Sequence, residues 1–122
     1  MAIAVRYSVD DVDATIALGV GTLGFELEMH PAPVFAVLSR EGLRLMENRP
    51  GSSGAGRALD RDATPLPGGW DRLQLEAENR ASLVERLKLE ALDMRSEIIE
   101  GKSGRQILVD DPSSNPIEPA RR

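Results

Sequence analysis

The sequence contains no cysteine, a single histidine (His30) and only four aromatic side chains: Tyr7, Phe25, Phe35 and Trp70. Without cysteine there can be no disulfide, no thiolate nucleophile and no thiolate-held zinc or iron–sulfur cluster. One histidine excludes any centre needing two imidazoles from the same chain, while leaving a carboxylate-rich or subunit-shared site open. The shortage of aromatic rings disfavours single-strand nucleic-acid binding by base stacking. No apolar run approaches a membrane span, and Met1–Tyr7 has no basic stretch leading into an apolar core. These absences predict a cytoplasmic, soluble protein that does not engage membranes.

What is present is an ordinary globular balance of 41% hydrophobic and 29% charged residues in 122, enough for one domain or two paired half-domains. The net charge of -5 argues against nonspecific nucleic-acid binding, which needs a concentrated basic surface. Lys88 and Lys102 are the only lysines among the 15 basic residues, so the positive charge is nearly all arginine. Arginine suits bidentate contacts to carboxylate or phosphate. The chemistry left open is therefore that of carboxylates, arginines, hydroxyls and backbone.

Along the chain, Ile3, Val5, Tyr7 and Val9 alternate with Ala4, Arg6 and Ser8, the pattern of a half-buried strand. Asp11 is placed to cap a helix carrying Val12, Ile16 and Val20, loosened by Gly19 and Gly21 and stopped near Gly24. Strands follow at Phe25–Met29, Val34–Leu38 and Leu43–Met46, with turns at Pro31–Pro33 and Arg40–Gly42. Residues 50–69 are rich in Gly, Pro and Ser without periodicity, which predicts a linker or a lid. The pattern then repeats. Leu73, Leu75 and Ala77 alternate with polar residues, and Asn79 precedes a helix with Leu83, Val84, Leu87 and Ala91 on one stripe. A hairpin joins 94–99 to 106–109, and a turn at Asp111–Asn115 leads into a short strand, Pro116–Glu118, expected to stop before Pro119–Arg122. Val5, Tyr7, Val9 and Asp11 correspond to Leu73, Leu75, Ala77 and Asn79 at an offset of 68. The reading is α+β: two βαβββ modules, 1–49 and 70–122, separated by 50–69.

Three segments carry a resemblance: Val9-Asp10-Asp11-Val12-Asp13-Ala14, Leu23-Gly24-Phe25-Glu26-Leu27, and Asp110-Asp111-Pro112-Ser113-Ser114-Asn115-Pro116-Ile117-Glu118. In this order they resemble the vicinal oxygen chelate superfamily of glyoxalases, bleomycin-resistance proteins and extradiol dioxygenases. The resemblance implies curled mixed sheets forming a cleft, with helices on the outer face. It departs from the family pattern at Leu18-Gly19, at Ala91 and at Ser114, which stands where the turn usually carries glycine. A Cβ at a left-handed turn position costs roughly 1 kcal/mol.

Metal-dependent relatives place one ligand on the first and last strand of each module, which implies Ala4, Arg44, Arg72 and Glu118 here. Only Glu118 can ligate, and two guanidiniums would repel a cation, so the expectation is no metal and no cofactor. If apolar residues face the helices, Arg6, Ser8, Arg44, Met46, Arg72, Gln74, Glu76 and Glu118 face the cleft, with Trp70 either packed in the core or walling its mouth. That set predicts metal-independent binding of a small polar or anionic molecule in the inter-module cleft. The alternatives are a lyase, isomerase or dioxygenase-type enzyme with an altered metal site, in which Glu76 or Glu118 is the acid–base candidate, and a structural or regulatory homodimer with a vestigial cleft. A homodimer is expected because the concave sheets need a partner surface. His30 reads as a surface turn residue. No nucleophile–base pair, phosphate loop or dinucleotide fingerprint is present.

Overall fold

The alternation that opens the chain folds as strand β1, Ile3–Ser8. The computed structural model describes residues 3–51, 66–69, 71–90, 92–96, 99–101 and 104–121, in two compact units, Met1–Pro67 and Gly68–Arg122. In the first unit Asp11 caps helix α1 (Val12–Gly21), its side chain accepting from the Ala14 amide at 3.0 Å. Strands β2 (Glu26–Ala32), β3 (Phe35–Arg40) and β4 (Leu43–Asn48) follow. The sheet order is β1-β4-β3-β2, with β1 parallel to β4 and the other pairs antiparallel. Glu41 and Gly42 both take positive φ (47° and 85°), the two-residue hairpin geometry that matches strand twist.

The odd-numbered positions of β1 and β4 share the face that receives α1. There Tyr7 and Ile16 pack against buried Val9, Val12 and Ala36. Gly19 lets the helix approach β3 closely, since a Cβ there would come within 2.8 Å of Leu38 Cδ1. Helix α1 includes Gly19 and ends at Gly21. The expected half-burial of β1 is not observed: Ile3 is 64% and Val5 37% exposed. The reason is that α1 packs over β2 and β3, leaving the outer strand on that side uncovered. Pro31 also lies inside β2 rather than in a turn, tolerated because β2 is an edge strand with register irregularities on either side of Met29.

The second unit repeats this plan. Strand β5 (Leu73–Ala77) leads to helix α2 (Arg80–Leu89), capped by Asn79 through the Ser82 amide at 2.9 Å. Then come β6 (Ile99–Gly101), β7 (Gly104–Gln106), β8 (Val109–Asp110) and β9 (Pro116–Arg121). The order is β5-β9-β8, with β5 parallel to β9, and Met94 bridges antiparallel to Val109 on the far side of β8. The expected single hairpin is thus divided: Met94 joins the sheet, while β6 and β7 pair separately with Ile99 opposite Gln106. The last strand does not stop at Glu118. It continues through Pro119 to Arg121, because β8 ends opposite Pro116–Ile117 and demands no amide from Pro119. Leu75, Leu87, Val109 and Ile117 are buried. Most of the expected linker (52–65) and Ala91 lie outside the described residues.

Candidate functional site

In the second unit, strand alternation puts Arg72, just before β5, on the same side as Gln74. Glu118 of β9, 5% exposed, lies directly across from Gln74 in the parallel register. Arg72 Nη2 is 3.0 Å from Glu118 Oε1, and Gln74 Nε2 donates to Glu118 Oε2 at 2.5 Å. Gln74 thus hydrogen-bonds one carboxylate oxygen, while Arg72 forms an ion pair beside the other without a hydrogen bond to it. Glu76 shares this side of β5 but is exposed and has no partner among the described residues.

In the first unit, the even-numbered face of the sheet carries four of the expected residues, among them Ser8 opposite Asn48. Ala4 lies opposite Arg44, and Arg6 lies opposite Met46, which is half-buried. Arg44 Nε donates to Glu28 Oε2 at 2.9 Å, an exposed pair that the sequence reading did not foresee. Arg6 is exposed and has no counter-charge among the described residues. Arg6, Ser8, Arg44 and Met46 thus share one sheet face, and Arg72, Gln74, Glu76 and Glu118 share another. Trp70 falls outside the described residues. His30 is in β2 rather than at a turn, with Nε2 3.8 Å from Asp13 Oδ1.

Two groups were missed from sequence. Arg95, between α2 and β6, reaches three partners: Asp110 Oδ1 at 2.7 Å, the Ser114 carbonyl at 2.7 Å and the Gly69 carbonyl. Its neighbour turn is closed by Asp111 Oδ1, which accepts from the Ser113 and Asn115 amides at 2.8 Å each, while Asn115 Oδ1 accepts from Gly68 N–H at 2.8 Å. Together they fix the backbone at Gly68 and Gly69, four and three residues before Arg72. Nothing in the local pattern distinguishes Arg95 from a solvated strand arginine. The other missed residue is buried Asn48, beyond a strand expected to end at Met46, and Glu47, a strand-end carboxylate expected in solvent, is instead fully buried.

The four positions implied for metal ligands do not fit a divalent ion. Ala4 has no donor, Arg44 and Arg72 are cations, and Glu118 is already held by Arg72 and Gln74. Among the described residues no group of three or more His, Asp or Glu side chains is placed to hold a metal, and no helix is long and apolar enough to cross a membrane.

No protein-family profile and no curated protein sequence matches the chain. Solved structures do. A lactoylglutathione lyase from Agrobacterium tumefaciens is similar at 16% identity and TM-score 0.73, covering 99% of this chain and 92% of the other. A member of the glyoxalase/bleomycin resistance protein/dioxygenase superfamily from Sphaerobacter thermophilus is similar at 18% identity and TM-score 0.71, covering 100% and 97%. The bleomycin-binding protein of Streptomyces verticillus, solved with copper(II)-bleomycin, is similar at 21% identity and TM-score 0.59, covering 100% and 96%. The chain has the vicinal oxygen chelate fold. In vicinal oxygen chelate terms, its departures lie at the ligand positions and at Ser114, whose φ of 64° holds a side chain in the left-handed region.

Proposed function

We propose that the protein binds a small polar or anionic molecule without a metal, through arginine donors on its sheet faces. The observation that carries this reading is the engagement of Glu118, the one carboxylate at an implied ligand position, by Arg72 and Gln74. A carboxylate so held is a poor metal ligand, while Arg72, about a third exposed, keeps guanidinium N–H groups for an incoming oxygen. Arg6 adds a cation with no internal counter-charge among the described residues. Small-molecule binding by a protein of this fold, the bleomycin-binding neighbour, is consistent with it.

The same reading makes the protein a cytoplasmic homodimer with no nucleic-acid or membrane partner. Exposed Ile3 and Val5 on an edge strand support the dimer, and the net charge of -5 supports the absence of a nucleic-acid partner.

The test is thermal shift and calorimetry with inorganic phosphate, citrate and phenylacetate, in EDTA and again with added zinc or nickel. Binding in EDTA that weakens with salt and is lost in Arg6→Ala or Arg72→Ala is expected. Binding seen only after metal addition overturns the metal-independent reading, and equal affinity in both variants overturns the arginine roles.

A further inference from the structure

The even-numbered face of the first unit carries two arginines, and the structure keeps them apart. Parallel pairing sets Ala4 opposite Arg44 and Arg6 opposite Met46, so Arg6 and Arg44 are diagonal neighbours on adjacent strands. Their Cα atoms are then about 8 Å apart, near enough for two long side chains to converge on one ligand. Arg44 does not lean that way. Its Nε donates to Glu28 Oε2 at 2.9 Å, and Glu28 belongs to β2, on the opposite side of β4 from β1. The guanidinium therefore reaches across β3, away from Arg6, with its charge matched by a carboxylate.

The pair is open to solvent, with the Arg44 side chain 42% and that of Glu28 39% exposed, so dissolved ions compete for both members. Strand register alone does not choose Glu28. Ser39 lies opposite Arg44 and Glu26 lies opposite Ser39, which puts Glu26 in the same cross-strand row as Arg44. Glu26 is nonetheless exposed and makes no ion pair among the described residues. The register shift between Leu27 and Met29 leaves Glu28 as the extra residue, and a bulge of that kind re-aims side chains. The irregular strand thus selects which of two nearby carboxylates holds Arg44.

We infer that Glu28 is a specificity-determining residue that makes this face select singly charged anions. It keeps Arg44 neutralised and apart, leaving Arg6 as the arginine here without a counter-charge among the described residues. A monocarboxylate needs only Arg6. A dicarboxylate gains from its second charge only by displacing Glu28 from Arg44. This rests on the proposed binding of anionic molecules and narrows their class.

Succinate and butyrate, acids of equal chain length with two carboxylates and one, are the probes, read by calorimetry in EDTA. Wild type binds them with similar affinity. Glu28→Gln keeps the side-chain length, removes the charge and tightens succinate about fivefold, the worth of one exposed charge pair, with butyrate nearly unchanged. Adding Arg44→Ala to Glu28→Gln abolishes that gain. Glu26→Gln removes the same charge from the same strand and leaves the ratio of the two affinities at its wild-type value. A wild-type preference for succinate as large as that of Glu28→Gln overturns the role of Glu28 and leaves anion binding standing. An equal rise in Glu26→Gln, or a gain that survives the loss of Arg44, also overturns it. If neither probe, nor phosphate or citrate, binds wild type or Glu28→Gln, the underlying anion-binding reading fails, and this inference with it.

Discussion

Arg95 concentrates more polar contact than any side chain expected to matter from sequence. Its side chain is 16% exposed, and it joins Asp110 to two carbonyls on segments distant in sequence. Replacing it with methionine keeps the aliphatic stem but leaves Asp110, itself 17% exposed, without its cation. The expected loss is about 2 kcal/mol, measured by urea denaturation, with weaker phosphate binding because Gly69 no longer fixes the approach to Arg72. Unchanged stability would mean that the three contacts are replaced by water at no cost. Ser114 points the other way. At φ 64° its Cβ is strained, and its backbone bonds do not use the side chain. Ser114→Gly is therefore expected to stabilise by about 0.5–1 kcal/mol in the same assay.

Within α1 two glycines have opposite roles that only packing distinguishes. A methyl at Gly21 meets nothing within 4 Å, so Gly21→Ala gains helix propensity, by a few tenths to about 1 kcal/mol at this last helical position. A methyl at Gly19 meets Leu38 Cδ1 at 2.8 Å, and Leu38 is a core side chain only 1% exposed, so it must repack to yield. The propensity gain there is outweighed by overpacking, giving a net loss of about 1–2 kcal/mol. Paired melting curves decide it: the two variants should move the midpoint in opposite directions. The element boundaries follow the same logic. Both helix starts were legible because Asp11 and Asn79 act locally, each accepting from an amide three residues on. The end of β9 was not, because whether Pro119 can sit in a strand depends on what lies beside it.

For the whole molecule, the side of β1 carrying Ile3 and Val5 is the exposed apolar face that none of the described residues covers. Ile3 and Val5 share a face with Tyr7 yet lie outside the cover of α1. Light scattering is expected to give twice the 13.2 kDa chain mass, and Ile3→Lys to return the monomer value with its circular dichroism unchanged. A wild-type mass equal to one chain would remove the dimer from the reading.

The sequence by itself determined the caps and the strand alternation, because each rests on residues a few positions apart, and the poverty of metal donors, which is composition; the repeat showed as one such local pattern met twice. The resemblance of Asp110–Glu118 to a family turn added the left-handed position of Ser114. Tertiary structure alone decided that Glu118 is held by Arg72 and Gln74, that Arg95 ties three segments together and that Glu47 and Asn48 are buried. These depend on register between strands far apart in the chain. A shift of one residue there reverses which side chains share a face, and no local pattern encodes that choice.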